Sequence, residues 1–491
     1  MKTTRIYTII FIICILSSLN FAKDISAKLK DSLVYLQVAY YGYTQYEPWK
    51  NMELSEGYAV GCAVDDNKVI TLASSVANAA FVQARKSDRN DFIPARILAV
   101  DYESNLALIE LDPNSIGKEL KPLKFDEKYV KGAGVNFYWL SAKGQMFIGR
   151  GFLDRVTVAN VTGFYSKSLT FVAAGISEAT NLGQLYCLGE KPIGIASLSG
   201  KETEADIIPA KVINRFLDDV QKGTYNGIAM RGFSVSNLVD PAMRKYLKIP
   251  NEIRDGVYVS DIYTIGTGSD VLKKGDVLLG IDGFAINPYG RYDDKKFDTL
   301  PFETLITSKT AGETITFEVW RDGKKQNLTG AAKRFDVGEM LVPFYEYDTQ
   351  PEYVIVGGCI LQKLTQSYLA ARGDEWRGKV EPHLYSYLLN EAFKPSEERK
   401  DIVILSYCLP ANINLGYHSL NQCVVDKING MKIKEMKDVP IALALNPESK
   451  FIVIEFEMDK PAIVLDRSQL ENAGKMISQT YGIGKLMNIN E

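Results

Sequence analysis

Between residues 30 and 200 the chain is a succession of short apolar runs cut by turns: "SLVYLQVAYYG", "GYAVGCAVDDNKVITL", "ARILAVD", "NLALIEL", "GVNFYWL", "LTFVAAGI" and "KPIGIASL". Runs this short, spaced this closely, are strands. No helix-length pattern alternates with them, so the spacing predicts a β-barrel or sandwich rather than βαβ units. The period changes at "PAKVINRFLDDVQKG", where Val212, Phe216, Leu217 and Val220 form a helical stripe that stops at Gly223. A "KGTYNG" linker follows, which sets a domain boundary near residue 225.

Beyond the linker one small strand-helix-strand layout occurs twice. The first copy runs through "DVLLGIDGFAI" and the helical "LPFETLITSK" to "ETITFEVWRDGKKQNL". There Ile315, Phe317 and Val319 alternate with polar residues, and Asp322-Gly323 supplies a hairpin turn. The second copy has "QCVVDKINGMKI", "MKDVPIALA" and "KFIVIEFEM" in the same order. A capping box from Ser468 to Glu471 and a stripe of Leu470, Ala473, Ile477 and Tyr481 then predict a docked C-terminal helix ending at Gly482.

Composition narrows the functional classes. The 491 residues are 46% hydrophobic and 24% charged, a globular profile with room for three or four domains. With 57 basic against 60 acidic side chains the net charge is −3, so no broad positive field exists to draw nucleic acid or anionic lipid. Lys2 and Arg5 precede an apolar core from Ile6 to Leu16, followed by Ala22, which reads as a cleaved secretory signal over residues 1–22. The remaining cysteines, Cys62, Cys187, Cys359, Cys408 and Cys423, are far apart and odd in number, and read as buried small side chains rather than a disulfide framework.

The stretch "VITLASSVANAAFV" reads as a buried strand entering a short helical segment, and with "ESNLALIEL" and "ATNLGQLYCLGEKPIGI" it resembles the Deg/HtrA family. That resemblance implies a mainly β fold with α+β modules: a chymotrypsin/trypsin-like double β-barrel over 23–225, then two PDZ-like domains over 226–335 and 336–491, the second with an insertion and the C-terminal helix. The likeness is greatest to the branch whose PDZ modules carry insertions. Aligned without gaps, the family's catalytic histidine falls on Ser74, its aspartate on Asn105 and its serine nucleophile on Asn181, or on Leu182 with a one-residue slip. Ala179 and Leu182 stand where the family has glycines.

A serine hydroxyl attacks a peptide bond only when a base within hydrogen-bond reach takes its proton and that base is itself oriented and charge-stabilised. Ser74 is no base near neutral pH, Asn105 cannot stabilise an imidazolium, and Asn181 cannot attack. The two histidines, His383 and His418, both fall in the last module. Thr180, Cys187 and Ser74 remain formal substitutes, with Cys187 expected in the core and without an activating histidine.

The resemblance also implies a peptide site in the first PDZ module: Arg231, Gly232 and Phe233 as a carboxylate-capturing loop, with Phe302, Leu305 and Ile306 on the groove helix. In the second module "LPANINLGYHS" is a weaker candidate for that loop. His418, Cys408 and Cys423 lack zinc spacing and "GTGSD" lacks the strand-loop-helix setting of a phosphate cradle, so neither metal nor cofactor is expected.

The expectation is therefore an exported, periplasmic or secreted, proteolytically inactive Deg/HtrA-like protein. It binds protein or peptide ligands, through their C-termini or unfolded segments, and no nucleic acid. The family implies a homo-oligomer, a trimer or multiple, for which Tyr35, Tyr40, Tyr41 and Tyr43 offer an aromatic surface. An atypical active serine-type endopeptidase and a structural surface protein are the alternatives.

Overall fold

The structure, a computed structural model, describes residues 27–50, 53–160, 167–177, 182–197, 203–223 and 227–490. The expected signal segment and Asn181 lie outside the described residues. Two compact units emerge. One holds the segments up to Tyr40, Ser55–Gly227 and Asp294–Thr304; the other holds Tyr41–Leu54, Ile228–Asp293 and Leu305 onward. Among the described residues no helix is long and apolar enough to cross a membrane.

The first unit contains two closed six-stranded barrels. Strands β1 (Leu33–Gly42), β2 (Glu53–Ala63), β3 (Lys68–Thr71), β4 (Ala79–Lys86), β5 (Ile93–Asp101) and β6 (Leu106–Leu111) close in the order β1-β2-β3-β6-β5-β4. Strands β7 (Gly134–Leu140), β8 (Met146–Asn160), β9 (Lys167–Ala174), β10 (Leu185–Leu188), β11 (Lys191–Ala196) and β12 (Glu204–Pro209) close in the order β10-β11-β12-β9-β8-β7.

The near-continuous apolar runs follow from burial on both faces of the strands. Along β1, Val34, Leu36 and Val38 fill the first barrel while Leu33 and Tyr35 point the other way, into a layer shared by the two barrels. Along β7, Val135 and Phe137 fill the second barrel while Tyr138 and Leu140 enter the same shared layer. Gly149 is a steric necessity here, since a Cβ would lie 2.0 Å from the Phe137 ring, which stacks between Trp139 and Tyr186. Helix α1 (Ala210–Gln221) seals the layer with Val212, Ile213 and Phe216. Segment Asp294–Thr304, placed by the sequence reading in the first PDZ module, belongs to this unit: Phe297 packs against Tyr129 and Phe171 of the second barrel.

The second unit carries both small modules. Strands β13 (Phe233–Ser236), β14 (Val257–Ile262), β15 (Val277–Ile281), β16 (Thr314–Arg321) and β17 (Lys324–Ala331) lie in the order β13-β14-β15-β16-β17. Helix α2 (Pro241–Tyr246) sits between β13 and β14, capped by Asp240, whose carboxylate accepts the Ala242 and Met243 N–H groups. Helix α3 (Glu303–Thr307) precedes β16.

The second module has β18 (Tyr353–Val356), β19 (Cys359–Lys363), β20 (Val403–Cys408), β21 (Cys423–Ile428), β22 (Phe451–Phe456), β23 (Ile463–Asp466) and β24 (Met487–Asn488), ordered β23-β22-β21-β20-β19-β18-β24. Helices α4 (Asp438–Ala444) and α5 (Leu470–Tyr481) complete it. The internal repeat is visible in backbone detail. Asp282-Gly283 after β15 and Asn429-Gly430 after β21 both turn with φ near +50° and +80°, the left-handed pair that two-residue hairpins need.

Two local expectations change. The helix cap is Asp466, whose side chain accepts the Ser468 N–H at the start of a 3-10 turn, so the Ser468–Glu471 box does not form; Gly482 does end α5 in the left-handed conformation. Segment Tyr41–Leu54 belongs to the second unit rather than the barrels: Trp49 packs with Tyr353, Ile355 and Ile360, and Tyr41 and Tyr43 contact each other there.

Two buried carboxylates make this fold testable. Asp276, 1% exposed, is held by Arg321 through two bonds of 2.7 Å, so Arg321→Met strands a buried charge and should cost about 3–5 kcal/mol in urea unfolding. Asp219 on α1 is pushed above the usual carboxylate range by burial; Lys222 and Arg215 oppose the rise and Asp101 adds to it. A raised carboxyl supports the fold while protonated and weakens it as pH climbs through its folded pKa. Asp219→Asn should therefore melt higher than the parent at about pH 7, the gap closing as pH falls below the ordinary carboxylate range.

Candidate functional site

The barrel site is built where β3 ends. Leu72, wholly buried, leads into a single 3-10 turn, Ala73–Ser75, which turns the Ser74 backbone toward the loop before β6. Asn105 occupies that loop in the left-handed conformation, with φ +56° and 3% exposure. Its Oδ1 accepts the Ser74 N–H at 2.8 Å and its carbonyl accepts the Ala73 N–H at 3.2 Å. The fold thus brings together two residues 31 positions apart that the sequence singled out.

What they can do chemically is limited. Ser74 contributes a half-buried hydroxyl and Asn105 a neutral carboxamide, whose Nδ2 is buried with no hydrogen-bond partner among the described residues. An orphan amide of this kind costs about 1–3 kcal/mol. Beside it lies a void of about 30 Å³ lined in part by Ser104, Asn105, Ser197 and Asp206, with space for roughly one water. The nearby Asp101 carboxylate is engaged by its own loop, accepting from the Glu103 and Ser104 N–H groups and the Ser104 hydroxyl.

Asn181, Ala179 and Thr180 lie outside the described residues. Immediately after them the chain is clamped: the Leu182 carbonyl accepts the Val60 N–H and the Gly183 N–H donates to Ala196 O, each at 3.0 Å. Gly183 is required there, because φ is +79° and a Cβ would fall 2.4 Å from the Val60 carbonyl. Cys187 on β10 has no exposed surface, and burial drives its thiol, like that of Cys62, far above the ordinary range. Such thiols are neither nucleophiles nor bases near neutral pH. His383 and His418 belong to the other unit and are engaged there, with Gln422 O at 2.9 Å and Asn414 Oδ1 at 3.0 Å. Among the described residues no group of three or more His, Cys, Asp or Glu is placed to hold a metal ion.

In the first small module β13 pairs with β14 alone, so among the described residues its outer side carries no strand. The residues leading into it are arranged differently from the expected carboxylate loop. The Gly232 N–H donates to Thr267 O at 2.9 Å, and Arg231 forms a parallel bridge with Thr267. Gly232 is needed for this approach, since a Cβ would meet Gly266 at 2.7 Å. Phe233 is wholly buried, edge-on to Phe317. Leu305 and Ile306 are 9% and 0% exposed, and Phe302, which falls in the barrel unit, is 1% exposed. These four apolar residues are core, and the side chains left to meet a ligand along this edge are Ser234, Val235 and Ser236.

The second module corrects another expectation. "LPANINLGYHS" lies between β20 and β21, knitted by Asn414, whose Nδ2 donates to Gly357 O and Leu409 O while Oδ1 accepts from Ala411 N. The place that corresponds to Gly232-Phe233 is Gly357-Gly358-Cys359, just before β19. The outer side of β19 is already covered: β18 pairs with it antiparallel, Val356 opposite Cys359, through a two-residue turn with φ +55° and +90°. The run "YVIVGGCIL", two apolar segments split by Gly-Gly, was the available hairpin signal.

A PDZ-domain family model matches residues 342–488. Among curated proteins, the mitochondrial Protease Do-like 4 of Arabidopsis thaliana is 25% identical over 446 residues, spanning 89% of this chain and 81% of the relative. The chloroplastic Protease Do-like 2 of the same plant is 24% identical over 444 residues, spanning 89% and 71%. Along most of its length the chain is similar to Deg/HtrA proteases. A probable periplasmic DegP-like serine endoprotease of Bartonella henselae matches a shorter stretch, at 25% identity over 48% of this chain and 47% of its own. An HtrA-type protease, AlgW, solved with a decapeptide aligns at a TM-score of 0.49 and 16% identity, covering 64% of this chain and 99% of that one.

The described part of the barrel site holds a hydroxyl and a carboxamide, and the two thiols of this unit are shielded in its core. The thiols give a direct check. Iodoacetamide at about pH 8 should leave Cys62 and Cys187 unmodified in the folded protein and alkylate both after unfolding, read by peptide mass mapping. Rapid modification of Cys187 in the native state would mean that the core around it opens.

Proposed function

We propose that this Deg/HtrA-like chain is an exported, proteolytically inactive binding protein that takes extended peptide segments on the open edge of β13. The observation that carries the inactivity is the Ser74–Asn105 pair: their backbone and side chain meet at 2.8 Å, where a catalytic base and its carboxylate would need to meet, and neither residue titrates near neutral pH. Export is supported by the basic-then-apolar amino-terminal segment and by a relative named as periplasmic, while the mitochondrial and chloroplastic relatives support only targeting to a compartment. The family likeness supports a homo-oligomer, a trimer or multiple, which light scattering on the purified chain reads directly.

Strand addition needs a sheet edge without a neighbouring strand; among the described residues no strand pairs with the outer side of β13, whereas β18 already pairs with β19. Because the Gly232 N–H is already bonded to Thr267 O, capture of a terminal carboxylate contributes little to this mode.

The rival reading, an active endopeptidase, is favoured by the protease names of the relatives. One set of measurements separates the two. The binding protein leaves casein intact and takes no fluorophosphonate label, yet binds an unfolded apolar peptide saturably. N-methylation of alternate peptide amides should weaken that binding about tenfold or more. Amidation of the peptide terminus should change it less than about threefold, against the tenfold or greater loss expected where a charge-assisted bond to the carboxylate is removed. A single labelled residue with casein turnover would establish the endopeptidase instead.

A further inference from the structure

Two residues past the end of β13, a cleft of about 890 Å³ opens in the same module. It lies between the β13–α2 junction, the exit of α2 and the loop carrying Tyr289. Four cationic side chains line it, Arg244, Lys245, Lys248 and Arg254, and no carboxylate does. Of the acidic residues nearby in sequence, Asp240 is occupied in capping α2, and Glu252 and Asp255 are exposed outside the lining.

Each cation is placed so that its charge remains available. The Arg244 guanidinium is fixed by carbonyl oxygens alone, donating to Leu238 O at 3.1 Å, to Ile253 O and to Asp255 O at 3.4 Å. Carbonyls orient a guanidinium without neutralising it. Lys245, Lys248 and Arg254 are exposed and have no ion-pair partner among the described residues. Lys248 stands just past the end of α2 with φ +54°, in the left-handed region where glycine or asparagine is the unstrained choice. Tyr289, 65% exposed, adds an aromatic surface to the rim.

The position of the cleft names its occupant. The cleft lining begins at Leu238, two residues beyond β13, so a strand laid antiparallel along Phe233 to Ser236 and advancing about 3.3 Å per residue would have its amino-terminal side directed toward that end of β13. We infer that the cleft is the second half of the peptide site and selects acidic residues lying amino-terminal to the strand-forming segment of the ligand. This rests on the strand-addition reading above and adds to it a direction and a charge. With four cations and no anion at the contact, complementarity acts chiefly on selectivity and association rate and weakens with salt.

The test uses fluorescence anisotropy on the full chain with three labelled synthetic peptides of equal length. All share one apolar strand-forming core; one carries a block of Glu on its amino-terminal side, one a block of Gln there, and one a block of Glu on its carboxyl-terminal side. At about 50 mM salt the first should bind about tenfold tighter than the Gln peptide, and that advantage should largely vanish at about 500 mM. The triple variant Lys245→Glu, Lys248→Glu, Arg254→Glu changes only exposed side chains, and should abolish the advantage while keeping affinity for the Gln peptide. Lys248→Gly should weaken binding of the acidic peptide while raising the melting temperature, a pairing that a merely structural lysine would not produce. Equal affinity for the Glu and Gln peptides, equal affinity for the two Glu orientations, or an advantage that survives charge reversal would overturn the inference and leave strand addition standing. Failure of all three peptides to bind would remove both.

Discussion

The layer between the two barrels is the constraint on which the barrel unit depends. Leu33, Cys62, Tyr138 and Cys187 come from four different strands, none has exposed surface, and each sits on a strand whose opposite face fills a barrel. A strand buried on both faces cannot slip by one residue without exchanging its two apolar sets, so register is doubly specified. That rigidity holds the loops at the strand ends in place. Ser74 and Asn105 meet because β3 and β6 are paired in the same barrel, Thr71 opposite Ala107, and not because either side chain attracts the other's chemistry. The contact between the two loops does not depend on ionisable groups: the backbone N–H to Oδ1 bond needs only an acceptor, which a carboxamide supplies as well as a carboxylate.

The second unit shows one module put to two uses. In the first copy, among the described residues, no strand pairs with the outer side of β13; in the second, the corresponding β19 carries β18, joined through Gly357-Gly358. The difference is a matter of chain connectivity. Where a short apolar strand precedes a Gly-Gly turn, it folds back and satisfies the edge amides itself, at an effective concentration no free peptide matches. Asn414, with four partners around it, then fixes the remaining loop. Under the proposed function the ligand-binding burden falls on the first module, which also carries the basic cleft.

Much of the architecture was legible because it is written in local periodicity. The barrel strands, helix α1 with its stop at Gly223, the Asp322-Gly323 hairpin and the repeat of β15 in β21 all rest on alternation or turn chemistry within a dozen residues. The weaker points were those at which distant segments compete for one place. Ser468 had every local feature of a cap, yet Asp466 lay closer to the donor. Trp49 reads as part of a barrel loop, yet its core partners Tyr353, Ile355 and Ile360 are three hundred residues away. Gly232 carried the pattern of a carboxylate loop, but its N–H is taken by Thr267 O.

The sequence by itself determined which side-chain chemistry the barrels carry, because side-chain type is not altered by folding: they hold no histidine, and Ser74 and Asn105 bring a hydroxyl and a carboxamide. It also determined the class of fold, since apolar runs this short and this closely spaced are strands and leave no room for helices between them. Only the tertiary structure decided which sheet edge is open, which amides are already bonded and which lysines and arginines converge on one cleft. Those properties depend on what every other segment of the chain occupies, and no short stretch of sequence contains that information.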